Sequence, residues 1–599
     1  MNNIRITILS FIALTLATAT LHAQNKVIYT YPLKGSIGVS AKTTIGIRYS
    51  TMIWGATVKS GSITISGNIS GVHTTKVMLA YDARTLNFMP DKTFSPGEYV
   101  TVSVHPMLTW FGQMTEAYTF DFQISKSKLL PSSLGADQGG GTAPEHNLPP
   151  SFPPLTVVKS ENPSPGYIYL TNFTYTQSPF IPYLIKMDNT TDVKFQKTLY
   201  PRWAQDFTPQ PNGLYTYFDF KLKKYFGLDS SYAKVDSFGA VNGYVTDGHE
   251  LRFLSNGNYV LLAAYVDTVD LSHVQGSSNA LVTYNVIQEF DRNKVLIFEW
   301  RTQDHFNILD ATHESPLSQS IDYAHCNSID EDSDHNLILC SRNLDEISKI
   351  NAETGEFIWR LGGKHNQFTT LNDAIPFSYP HDVRMLPNGN MTMFDNGNYR
   401  PSPLKSYSRA LEYVIDEVNH TITKVWEYRH SPDFYASAMG SVQRLPSGNT
   451  LIGWGLADSA SALSEVTPDG NTALEIAMPA GQYNYRVTKF IPNGAYQFTR
   501  ESTDKVSPSL TLTGISVDPI YPNPFDKIAT LRLNVSNRSK MTIKLYDLFG
   551  REVRTIFDGV VSAGEYSATL RGEGLANGSY ICRLTTPTTT ITQSLVHYH

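Results

Sequence analysis

Six copies of one hairpin signal constrain this chain more than any other feature. Short apolar strands run into an Asn-Gly, Ser-Gly or longer polar turn and return: WAQDFTPQPNGLYTYF (203–218), GHELRFLSNGNYVLL (248–262), HCNSIDEDSDHNLILC (325–340), HDVRMLPNGNMTMF (381–394), GSVQRLPSGNTLIGW (440–454) and YRVTKFIPNGAYQF (485–498). Between them comes a second hairpin type with an Asp, Asn or Pro-Asp turn, as in VIQEFDRNKVLIFEW (286–300) and ISKINAETGEFIWRL (347–361), and it too recurs six times. Two alternating hairpins repeated six times make six four-stranded sheets. A radial arrangement buries their faces and leaves only short edges, so the region 159–503 is expected to form a six-bladed β-propeller.

The rest of the chain is also expected to be all-β. It has many aromatic and β-branched residues, 40 Gly and 33 Pro, and no long stretch with helical period. At 599 residues it is too long for one core. A net charge of -6 over this length leaves no basic stripe, which argues against nucleic acid as a partner. Residues 1–23 have a basic residue at Arg5, an apolar run from Ile6 and small residues ending at Ala23, the pattern of a secretory signal peptide. No other segment has the length and apolarity of a transmembrane helix. Alternating strands over 26–125 suggest a β-sandwich, and TLNFMPDKTFSPGEYVTVSV (85–104) resembles bacterial immunoglobulin-like domains, read as a spacer or docking module. A Gly-rich and then Pro-rich linker spans 126–158. Over 510–599, YPNPF, KLYDLFGREV and LANGSYICRL resemble the C-terminal sorting domain of the type IX secretion system, a small β-sandwich. That resemblance implies the secretion machinery as a partner, export through the periplasm, and a secreted or cell-surface location.

Counting back eight residues from the turn glycine in the aligned hairpins gives Gln205, His249, His381, Gly440 and Arg486; the copy with the longer turn begins at His325. Three histidines at one repeat position would converge at one height around a propeller axis. Such a set is open to three readings: a metal site, an acid/base and nucleophile set, or an anion-binding ring. No carboxylate shares the repeat position to complete a metal triad, although Asp247, Glu250 and Asp382 are close in sequence. Asn327, two residues past His325 on the same strand face, and Arg342, at the end of the return strand, favour an anion. Its register is ambiguous. If opposed positions sum to 666, Cys326 faces Cys340 and the two could bridge; if to 667, His325 faces Arg342, and an ideal hairpin cannot readily give both. A bulge could, and two buried free thiols are the alternative to a bridge.

The stretches TDGHELRFLSNGNYVLL, DYAHCNSIDEDSDHNLILCSRN, FSYPHDVRMLPNGNMTMFDNGN and SAMGSVQRLPSGNTLIGWG together resemble the bacterial arylsulfate sulfotransferases, which work without phosphoadenosine phosphosulfate. The resemblance implies a six-bladed propeller with its site at the central channel, no cofactor, and transfer of a sulfuryl group from a phenolic sulfate ester to an acceptor phenol. It also implies roles: His381 as the nucleophile forming a sulfohistidine, His325 as acid/base, and Arg342, His249 and Asn327 holding the sulfuryl oxygens. Gly362-Gly363-Lys364 lacks the upstream glycine of a P-loop, so a nucleotide donor is unsupported, and no cysteine sits in a Cys-x-Pro-x-Arg pattern. The alternatives are a non-catalytic secreted propeller binding sulfated or anionic glycans, and an aryl sulfate hydrolase.

Overall fold

The computed structural model describes residues 25–126, 148–401, 406–457, 461–490, 498–501 and, with short interruptions, 515–597. The expected signal peptide and most of the expected linker lie outside the described residues. What is described is almost entirely strand and turn, with a single four-residue α-helix, Thr302–His305.

Six meander sheets make up the middle of the chain. Their inner strands are Thr488–Phe490, Ala204–Pro209, Val245–Phe253, Cys326–Glu331, Pro380–Met385 and Ser441–Arg444, and each is followed outward by three further antiparallel strands. The inner strands meet in sequence from one sheet to the next. The series then closes on itself. Thr488–Phe490 pairs with Tyr167–Thr171 of the first sheet, while Thr156–Ser160 pairs as an outermost strand with Thr472–Ala477 of the sixth.

Closure bears on two sequence readings. The first strand of the hairpin expected at 485–498 pairs with Tyr167–Thr171 at the inner edge of the first sheet, and the expected turn, 491–497, lies outside the described residues. Phe498–Glu501 pairs with Gly564–Arg571 of the C-terminal domain, so the central region ends short of 503. Likewise the last residues of the expected linker are already strand.

The N-terminal domain has two four-stranded sheets. In Tyr99–Val104, Val100, Val102 and Val104 are buried and Tyr99 and Thr101 exposed, the alternation of a sheet with one wet face. It is docked on the third central sheet: the Tyr29 and Tyr31 hydroxyls donate to the carbonyls of Glu299 and Leu296 at 2.5 and 2.6 Å, and Arg48 donates to those of Ile297 and Ala352 at 3.0 and 2.7 Å. Both tyrosines belong to the same apolar cluster as the third and fourth sheets. The C-terminal domain likewise has two four-stranded sheets with their own core. Among the described residues no helix is long and apolar enough to cross a membrane.

Candidate active site

His249, His325, Arg342 and His381 line one cavity of about 480 Å³ together with Gln205, Asp247, Tyr485, Ala438 and Met439. The other wall is aromatic: Phe173, Tyr175, Trp203 and Phe220. The cavity thus has a cationic, hydrogen-bonding side and an apolar side.

The third sheet supplies His249 and the fourth His325, their rings 5.1 Å apart and edge to face. Each leans on a nearby carboxylate. His325 Nδ1 lies 2.6 Å from Asp322 Oδ2, and His249 Nδ1 is paired with Asp247 Oδ1. Burial opposes protonation of His249, but the Asp247 carboxylate outweighs it and raises the imidazole above its ordinary value. In both rings Nδ1 is engaged and Nε2 remains for chemistry.

His381 is built differently. It is 2% exposed, and its Nδ1 lies 2.7 Å from the Asn396 side-chain oxygen. The Asn396 amide nitrogen donates to the carbonyls of Ala436 and Met439 at 2.8 and 3.0 Å, which fixes the amide with its oxygen toward the ring. His381 therefore carries its proton on Nδ1 and its lone pair on Nε2, where the Met439 N–H donates at 3.2 Å. Burial, then the charge of Arg342, hold this imidazole well below its usual range, so it stays neutral.

The register of the fourth sheet resolves the cysteine ambiguity. Cys326 opposes Ser341 and Ser328 opposes Cys340, with a bulge between them at Asn327. The two thiols are free and buried, and the Arg342 N–H donates to the His325 carbonyl at 3.1 Å. Arg342 is held by the Ser437 carbonyl and the Asn343 side chain at 3.2 and 2.7 Å, and its guanidinium carbon sits 3.8 Å from the ring centre of Tyr379. Its Nε is buried with no protein acceptor.

Asn327 does not reach the cavity. Fully buried, it donates its amide to the Pro380 carbonyl at 2.8 Å and so braces the backbone just before His381. Arg486, the aligned residue of the sixth hairpin, also turns away, and its neighbour Tyr485 takes the cavity position, donating to the carbonyls of His249 and Asn327 at 3.0 and 3.1 Å. Sequence reasoning missed Asn396, Asp247, Asp322 and Tyr485 as supports. Asn396 could have been found: it sits in the Phe-Asp-Asn-Gly run that ends the return strand opposite His381. Among the described residues no group of three or more His, Cys, Asp or Glu side chains is arranged to hold a metal ion.

Comparison with known proteins places three segments. Residues 155–487 match the family Arylsulfotransferase (ASST), residues 519–597 the Secretion system C-terminal sorting domain, and residues 22–123 the Bacterial Ig-like domain. Two curated proteins named arylsulfate sulfotransferase AssT match locally: one from Escherichia coli O6:H1 is 36% identical over 92 residues, and one from Lelliottia amnigena 34% over 91. Each match covers 14% of this chain and 15% of the relative's length. Among solved structures, a Bacteroides caccae protein of unknown function aligns over 55% of this chain and 99% of its own at 12% identity and a TM-score of 0.35. A Staphylococcus aureus virginiamycin B lyase aligns over 67% and 97% at 9% identity and a TM-score of 0.26. These two likenesses are too loose to support an argument.

Proposed function

The chain belongs to the arylsulfotransferase family, and on that premise we propose that it moves a sulfuryl group between phenols through a sulfohistidine at His381. The observation that carries this reading is one cavity in which a buried, neutral imidazole faces two carboxylate-backed histidines and an arginine, opposite an aromatic wall. An aryl sulfate has the matching halves, a head of three oxygens sharing one negative charge and a flat apolar ring. The six closed sheets are read as the blades of a six-bladed propeller, with the cavity at one end of its axis.

In the first half-reaction His381 Nε2 attacks sulfur in line. The N–S bond forms as the O–S bond breaks, and the departing phenolate takes a proton from His325. The Met439 N–H that capped Nε2 is released to the sulfuryl oxygens, beside the donors of Arg342 and His249. An arginine clamp of this kind is worth about 2 to 4 kcal/mol in the transition state. In the second half-reaction the acceptor phenol gives its proton to His325, its oxygen attacks sulfur, and His381 leaves as the neutral imidazole. Kinetics should be ping-pong. The sorting domain places the enzyme outside the cytoplasm, at the cell surface or secreted.

The test is a chromogenic aryl sulfate incubated with the protein, with and without a second phenol. Colour release that depends on the phenol, with a sulfuryl adduct on the peptide carrying His381, is the expected result. Release without phenol would make it a hydrolase; tight binding without release would make it a glycan- or anion-binding module.

A further inference from the structure

Beneath the cavity lies a cluster of charges that the reaction above does not use. Arg486 reaches three carboxylates: Asp206 at 2.7 Å, Glu250 at 3.2 Å and Asp382 at 2.9 Å. Arg384 reaches two of the same three, Glu250 and Asp382, at 2.7 Å each. Four of the five belong to inner strands and Arg486 lies two residues before one, and the three carboxylates and Arg486 are nearly inaccessible. The other two inner strands are tied in by backbone. The Val442 N–H donates to Asp382 at 3.0 Å, the Ile329 N–H to Glu250 at 3.4 Å, and Arg384 donates to the Ile329 carbonyl at 2.9 Å. The cluster therefore touches every one of the six sheets at their point of convergence.

Four cavity residues are followed directly in sequence by a member of the cluster: Gln205 by Asp206, His249 by Glu250, His381 by Asp382, Tyr485 by Arg486. The strands are bulged at the first three of these places. Asp206 and Asp382 sit in the left-handed region, at φ 55° and 52°. A bulge re-aims the side chains on either side of it, and a residue in that conformation persists only if its surroundings hold it there.

We propose that Asp206, Glu250, Asp382, Arg384 and Arg486 form a charged hub that positions the catalytic histidines, by locking the bulges that turn His249 and His381 into the cavity. These are positioning residues: none touches the cavity, and each acts through the backbone of its neighbour. The kinetic part of the test rests on the sulfuryl-transfer reading; the geometric part does not.

The experiment compares Glu250→Gln, which keeps the shape of the hub and removes one charge, with Asp332→Asn at another buried ion pair, Lys349–Asp332 at 2.7 Å, which is remote from the cavity. Both variants are studied in the full chain by aryl sulfate kinetics and by crystal structure. Glu250→Gln is expected to lower kcat about tenfold to a hundredfold with the donor KM within about threefold, since small misplacements of reacting groups are costly. It is also expected to displace the His249 and His381 rings by about 0.5 Å or more, the tolerance of a preorganised site. Asp332→Asn should leave both unchanged. A Glu250→Gln variant with wild-type kcat and unmoved rings overturns the proposal, as does an equal loss in Asp332→Asn. If the wild type shows no transfer, the earlier reading fails, and ring displacement alone decides this one. Should Glu250→Gln not fold, Asp206→Asn, at the edge of the hub, is read in the same way.

Discussion

The histidines of the cavity are backed by different atoms in two regions of the molecule. His249 and His325 lean on carboxylates, whereas His381 leans on an amide oxygen. A carboxylate fixes the ring and also stabilises its protonated form; an amide fixes the ring and adds no charge. A site that needs a proton carrier beside a nucleophile that must keep its lone pair can obtain both from imidazole by changing one backing group. Arg342 reinforces the difference, because its charge disfavours protonation of His381 while serving the anion.

The comparison breaks most sharply at His381. His381→Ala should abolish turnover, by about 10⁴-fold or more, with an unchanged circular dichroism spectrum, as loss of a covalent nucleophile does. An active variant would sink the covalent step. Next comes Asp322→Asn, which gives His325 an amide in place of its carboxylate; loss of the tautomer and orientation that the carboxylate fixes should lower kcat by about 10² to 10⁴. Single-turnover kinetics would locate the loss in both half-reactions, since His325 serves each.

Asn396→Asp makes the converse exchange. A carboxylate beside His381 raises its pKa, so more of the ring is protonated at a given pH and the acid limb of kcat/KM should move to higher pH. An unmoved limb in the pH–rate profile would mean that burial and the charge of Arg342 hold His381 neutral whichever group backs it. Trp203→Ala, on the aromatic wall, should have the smallest effect, a rise of about threefold to tenfold in KM for the aromatic substrates with little change in kcat, the scale of losing apolar contact. The steady-state constants for donor and acceptor would show which ring it serves.

Much of this was legible in the turns. Asn-Gly and Ser-Gly signals marked the inner hairpins because their geometry is local, and the repeat position pointed to His249, His325 and His381. What was hidden depends on contacts between distant strands. Thr488–Phe490 carries a good hairpin sequence yet pairs with Tyr167–Thr171, some 320 positions away. The bulge at Asn327 sets His325 opposite Arg342 and leaves Cys326 unbridged, and a single extra residue in a strand has no sequence signature of its own. Asp322 and Asp247 lie close to their histidines in sequence, but nothing in the pattern distinguishes a backing carboxylate from a surface one.

The closure of the six sheets has a mechanical side. The C-terminal domain leaves the ring through Thr488–Phe490, a three-residue strand zipped onto Tyr167–Thr171. Two or three residues upstream are Arg486, at the centre of the charged hub, and Tyr485, in the cavity wall. The strand that closes the series of sheets and a wall of the cavity therefore share one short piece of backbone, so fraying of the first would disturb the second.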